Sequence, residues 1–456
     1  VLPLPLDCRF ADSRVTFRLD DKGLMWLFFF ETGVILYFDE ATQSFKYPLN
    51  PHKGQGEYHG YFKDRQGSLW YRQPYSLHKI TCHNVPVRMD QKLGQSELRS
   101  MMTDDKNRLW LGFKEGDIRL YDTQDQFLGR LHPNGQISKD PTPFGASAYS
   151  LFNDSKGRIW IGSRSQGLYL LEPKREGEHY TVTHYNGATS DNGGLRGEAV
   201  YSITEDSYGQ IWVGTYDGGL NLWQDGRFRH ADNGLGRQGS KVMPQAVRFV
   251  GEVAPGVVMV GSKEGLFVFD ARFDSPEALT LHRNVKGSDA GSLSDNDVMY
   301  VYPSRSGALY VATNSGGVDR ILSDDLLSDN LRFETLTKKQ GLASDIAFSL
   351  IEDARGRLWI ISSDAFTRLD PDSGSIDVFR TSQLGYHVLL SEAKPLYRNG
   401  LFHVGPLNGL ITLDPLALTK RRYQHPVNMP ALLVQNQPAD KRLGDDNMLI
   451  LRSQDR

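Results

Sequence analysis

Residues Asp206–Leu220 read DSYGQIWVGTYDGGL. The same design stands at Asp154–Leu168 (DSKGRIWIGSRSQGL) and Asp104–Ile118 (DDKNRLWLGFKEGDI). In each copy an Asp opens a tight turn, Gly or Asn follows three residues on, and Trp follows three after that. Asp at the first position and Gly at the fourth suit a type I turn followed by a residue able to take a positive φ. The stretch IWVGT is apolar on both faces, as a strand is when neighbouring layers cover both sides.

Counted at the Trp position, the pattern recurs at Trp26, Trp70, Trp110, Trp160, Trp212, Met259, Tyr310, Trp359 and Phe402, with gaps of 40 to 52 residues. Six of the seven tryptophans therefore occupy one place in a repeat. A period of that length means one supersecondary unit per repeat, unable to bury its apolar faces alone. Around Trp212 the unit predicts four strands, Val200–Thr204, Ile211–Thr215, Gly219–Trp223 and Arg227–Ala231, in an antiparallel meander. No segment sustains a helical period. The fold class is all-β, a β-propeller of four-stranded antiparallel blades. Nine repeat units are visible from Arg14 to Pro415. They make one ring of eight or nine blades, or part of two rings with units one and two in an earlier one. The repeated Trp is expected to pack between blades. Asp20, Asp64, Asp104, Asp154, Asp206 and Asp353 are read as turn residues rather than metal ligands, since no DxDxD run accompanies them.

The domain reading is a propeller over 1–418, followed over 419–456 by a linker and the truncated start of a β-sandwich. The balance of 52 basic and 55 acidic residues argues against a nucleic-acid surface, which needs a basic stripe. Cys8 and Cys82 are the only cysteines, with no CxxC spacing, and their pairing is left open. No apolar run reaches the length of a membrane span. HExxH, G-x-S-x-G and Gly-rich phosphate loops are lacking, so no catalytic residue, metal or cofactor is assigned and the reading is non-enzymatic.

In an antiparallel meander alternate connections emerge on one face. The turns between second and third strands, with the loops leading into first strands, should rim one mouth of the central channel. That places Arg99, Tyr149, Arg164, Glu198, Tyr216, Asp217, Lys263, Asn314, Asp345, Asp364, His387 and Asn408 as candidate ligand-binding residues, with Lys114, Glu115, Glu264, Asp297 and Tyr386 beside them. Charged and amide groups mixed with Tyr suit sugar recognition, which needs hydroxyl hydrogen bonds and an aromatic face.

The repeat D-x-x-G-x-[IL]-W-[IV]-G-[ST]-x-x-G-G-L resembles the two-component-regulator propeller repeats. KKQGLASDIAFSLIEDARGRLWIIS (Lys338–Ser362) and GGLRGEAVYSITEDSYGQIWVGT (Gly193–Thr215) look like that family's join between blades. FHVGPLNGLITLDPLAL followed by HPVNMPALLVQNQ resembles its passage into a triple-tyrosine β-sandwich. The resemblance implies the extracytoplasmic sensor region of a bacterial hybrid two-component or related signalling protein, periplasmic, on an inner-membrane protein. It implies an oligosaccharide or other small ligand, bound on the propeller face or at the junction with the sandwich, and a homodimer contact through that sandwich. A glycan lyase or hydrolase, or a protein-interaction scaffold, is the alternative.

Overall fold

The computed structural model describes residues 14–19, 24–32, 34–39, 43–47, 60–63, 69–73, 76–80, 87–90, 96–174, 179–187, 193–224, 226–384, 386, 388–420, 433–434 and 437–438. Two units separate by their internal contacts, Val1–Leu418 and Thr419–Arg456. In the second, Leu433–Val434 pairs with Gln437–Pro438, and the sandwich expected there otherwise lies outside the described residues. Asp20, Asp64, Cys8, Cys82 and His387 also lie outside them.

The first unit is built of antiparallel sheets in chain order. Blades 1 to 6 begin with the strands Leu98–Thr103, Ala148–Asn153, Val200–Glu205, Val247–Ala254, Val298–Pro303 and Ser349–Glu352. Blade 7 holds Leu396–Arg398, Leu401–Val404 and Leu410–Leu413. Its fourth strand, Val87–Asp90, comes from before blade 1 and pairs antiparallel with Leu410–Leu413. Tyr386 fixes that strand, its hydroxyl accepting from the Met89 amide and donating to the Val87 carbonyl, both at 3.2 Å.

Blade 7 then packs on blade 1. Ala393 and Leu410 share a core with Leu98, Leu109, Leu111 and Phe113. The buried Arg398 guanidinium reaches the carbonyls of Asn107 and Asp122 at 3.1 and 2.8 Å and the carboxylate of Asp125. Among the described residues seven sheets thus close a ring. Units three to nine supply them. Val87–Asp90 crosses to complete blade 7, and among the described residues unit two keeps three strands. Units one and two form sheets of their own, joined by Trp26, Phe28 and Ile35 against Tyr71. Val15, Phe17 and Leu19 on the first of these strands are exposed.

The repeated motif explains the spacing of the blades. Trp110, Trp160, Trp212 and Trp359 are fully buried. Each indole meets an aromatic of the following blade. Trp110 meets Tyr180, Trp160 meets Trp223, Trp212 meets Phe269 and Trp359 meets Phe402, with ring centroids 4.7 to 6.0 Å apart. The turn Asp does more than close its turn. In blade 3, Asp206 Oδ1 accepts from the amides of Tyr208 and Gln210, while Oδ2 accepts from Trp212 Nε1 at 2.7 Å. Asp104, Asp154 and Asp353 hold their tryptophans in the same way at 2.8 to 2.9 Å. The Gly two residues after Trp is set by close approach. A Cβ at Gly162 or Gly214 would collide with Val200 or Val247 of the next blade.

Candidate functional site

Blades 1 to 5 share one irregularity in the first strand. Leu98 and Ser100 pair with Phe113 and Gly112, leaving Arg99 without a partner between them. Tyr149, Tyr201, Arg248 and Met299 are left over at the same place in their blades. An extra residue of this kind is a β-bulge, which turns its side chain away from the ladder. Here the five bulged residues, with Phe348 and Glu392 from blades 6 and 7, line one cavity of about 190 Å³. One residue from every blade contributes, so the cavity lies on the ring's axis.

At the rim these side chains join into a continuous arc. Lys114 and Arg99 both bond Glu97, at 2.9 and 2.7 Å. Burial works to raise the Glu97 pKa, but the hydrogen bonds from Lys114 and Arg99 prevail and hold it below the usual carboxylate range. Arg99 also lies 3.6 Å from Glu392 and stacks over Tyr149 at 4.0 Å. Arg164 donates to the Tyr149 hydroxyl at 2.9 Å. Tyr149 packs on Tyr201, and Tyr201 on Tyr216. Over Tyr216 sit Arg248 and Lys263, 5.4 and 5.3 Å from its centroid. Arg248 is held bidentately by Asp297 at 2.7 and 3.2 Å, and Asn314 donates to the same carboxylate. Stacked cations and phenols of this kind offer flat faces edged with donors, a surface suited to a polyhydroxylated ring.

Deeper in the cavity Lys394 crosses from blade 7 toward blades 3 to 5. Its ammonium donates to Ser202 Oγ at 2.9 Å and lies 5.1 and 5.6 Å from the rings of Phe249 and Tyr300. Ser202 Oγ is otherwise engaged by the backbone of Val250. Lys394 is half-buried with part of its surface facing the cavity, and this burial pulls its pKa down to about 8. Burial likewise pushes the phenols of Tyr201 and Tyr300 up.

Of the residues expected from sequence, Arg99, Tyr149, Arg164, Tyr216, Lys263 and Asn314 stand in this arc. Four others are occupied with the backbone or with a local ion pair, or sit on a turn. Asp217 accepts from the amides of Glu198 and Ala199, tying two loops. Asp345 accepts from the Lys338 amide. Asp364 pairs with Arg380 at 2.6 Å. Asn408 is half-buried on the turn before the third strand of blade 7. Glu198 lies on the loop that Asp217 secures.

Sequence reasoning passed over Tyr201, Arg248, Tyr300, Glu392 and Lys394. Aligning the first strands would have found two of them, Tyr201 and Arg248. In LRS, AYS, VYS, VRF, VMY and AFS the middle residue is the one turned to the axis. Glu392 and Lys394 stand in the degenerate ninth unit, where no such frame can be laid. Among the described residues no group of three or more His, Cys, Asp or Glu is gathered to hold a metal ion.

A model of the two component regulator propeller family matches residues 143–165 and 194–217, the joins into blades 2 and 3. No curated protein matches the sequence. Virginiamycin B lyase from Staphylococcus aureus is a structural neighbour at 13% identity and TM-score 0.52, over 72% of this chain and 98% of its own. YCF48 from Cyanidioschyzon merolae matches at 14% identity and TM-score 0.52, over 73% of this chain and 99% of its own. The extracellular domain of a one component system from B. thetaiotaomicron matches 96% of this chain at 15% identity and TM-score 0.51. This chain spans 56% of that domain. At these identities the likenesses speak to the fold alone.

Proposed function

We propose that this chain is the ligand-sensing part of an extracytoplasmic signalling protein and that its ligand, an oligosaccharide, docks on the arc at the channel mouth. The observation that carries the reading is the convergence of five bulged side chains, with Tyr216, Arg164 and Lys263 beside them, on one axial cavity. Repeating a bulge in successive blades sets stacked aromatic and cationic groups at one end of a rigid ring. That arrangement binds without needing a nucleophile or a metal. The family match over the joins into blades 2 and 3 supports the sensor class. The likeness in fold to a bacterial extracellular domain accords with a periplasmic place.

The test is calorimetric titration with a panel of neutral and acidic oligosaccharides, followed by chromatography of the recovered sugar. The expected result is saturable binding with the sugar returned intact. Tyr216→Ala should weaken it at least tenfold while leaving the melting temperature near that of the parent. Turnover of a bound sugar would move the reading to the enzyme alternative. Silence across the panel would overturn it.

A further inference from the structure

Among the described residues, the axial cavity holds one cation that no carboxylate pairs with. Arg99 is held by Glu97 and lies near Glu392, and Arg248 is held by Asp297. Lys394 has a hydroxyl, Ser202 Oγ, and two aromatic faces, but among the described residues no carboxylate lies within ion-pair distance of it. An ammonium has three donors and no acceptor, so one bond to Ser202 leaves two N–H groups for whatever enters the cavity. A charge enclosed by protein without a partner is unfavourable, and apolar groups of the same length would fill the space at less cost. The side chain is placed for an occupant.

The surroundings narrow the occupant's chemistry. Tyr149, Tyr201 and Tyr300 line the same cavity. The volume, about 190 Å³, suits a single sugar ring rather than a run of them. Glu392 also lines the cavity, and it faces Arg99 rather than standing alone.

We propose that Lys394 is the anchor for a carboxylate of the ligand, so that the sensor takes an oligosaccharide ending in an acidic sugar, a uronate, with the terminal ring in the axial cavity. This rests on the sugar-sensing reading above and specifies it. The carboxylate would take the two N–H groups left by Ser202, while the rest of the oligosaccharide runs out over Tyr149 and Tyr216.

The experiment compares the parent chain with Lys394→Met by calorimetry against three probes. These are uronate-terminated oligosaccharides, the same chain lengths ending in a neutral hexose, and acetate alone. The proposal expects uronate-terminated sugars to bind at least tenfold tighter than neutral ones, and Lys394→Met to remove that preference. Acetate alone should bind weakly. The methionine variant should keep a cooperative melt, since it fills the same space without the charge, and Lys394→Arg should keep part of the preference. Neutral and acidic sugars binding alike would overturn the inference and leave the sensing reading in place. Acetate binding as tightly as the uronates would assign the cavity to a free carboxylate and would also overturn it. A preference that survives Lys394→Met would show that another cation reads the acid. No sugar binding at all would bring down the sensing reading itself.

Discussion

Lys394 on blade 7 donates to Ser202 on blade 3 at 2.9 Å, so one side chain reaches across the channel of the ring. The groups around it are Arg99, Glu392, Arg248, Phe249 and Tyr300, and none of them neutralises it within ion-pair distance. With its pKa lowered to about 8, the folded protein binds fewer protons than the unfolded chain at higher pH. Stability owed to this site therefore rises as pH climbs through the folded value toward the ordinary lysine value, and the full penalty is present below it. Lys394→Met should raise stability near neutral pH by roughly 2 kcal/mol, allowing for water in the cavity. That gain should shrink steadily from about pH 8 to about pH 10. Paired denaturant melts across this range check it, and a gain independent of pH would contradict the assignment.

Trp212→Ala should cost roughly 3–5 kcal/mol, since it opens a space between blades 3 and 4 where the indole meets Phe269. Asp206→Asn keeps the shape of the turn but replaces the oxygen that faces Trp212 Nε1 or one that holds the turn amides. It should cost about 1–3 kcal/mol. Urea unfolding of the two variants would separate the contributions. An Asp206→Asn loss as large as that of Trp212→Ala would contradict this division.

Gly214→Ala should destabilise by about 1–3 kcal/mol because its new methyl collides with Val247. Combining it with Val247→Ala should lose clearly less than the sum of the single changes, as touching sites do. The chain already contains such an exchange. Ala312 stands in blade 5 where blades 1 to 4 have Gly, and Ala347 of the next blade, at the place of Val200 and Val247, shares its cluster. A thermal-melt double-mutant cycle is the measurement, and strict additivity would refute the contact.

Tyr386→Phe should loosen the closing strand by about 1–2 kcal/mol, removing one hydroxyl bonded to both Met89 and Val87. Hydrogen exchange should quicken first in Val87–Asp90 and Leu410–Leu413. Faster exchange confined to blade 6 would place the role of Tyr386 elsewhere.

The blade was legible because the pattern around Trp212 states its turn, its buried strand and its neighbour at once. Each of those demands is local or repeats in the next unit. Ring membership was not legible, because it turns on Val87–Asp90, a short strand with no motif that pairs with residues far along the chain. The arc was half legible. Arg164, Tyr216 and Lys263 stand in turns that meander logic places on one face. Tyr201 and Arg248 owe their direction to a bulge, which moves one residue out of an alternation that otherwise reads as unbroken. Asp217 and Asp345 show the opposite failure, since they lie on the predicted face but are taken up by backbone amides.

The strand from Val87 to Asp90 also sets an order of events for folding. It is made before the first blade of the ring, yet its hydrogen-bonding edge belongs to Leu410–Leu413, the last strand of the ring to leave the ribosome. Through the synthesis of all the intervening blades that edge lacks its partner, and the chain has to hold it away from other strands. Closure then includes a very long-range strand pairing, the kind that slows folding most. A nascent chain halted before blade 7 would carry a nearly complete ring with no means of fastening it.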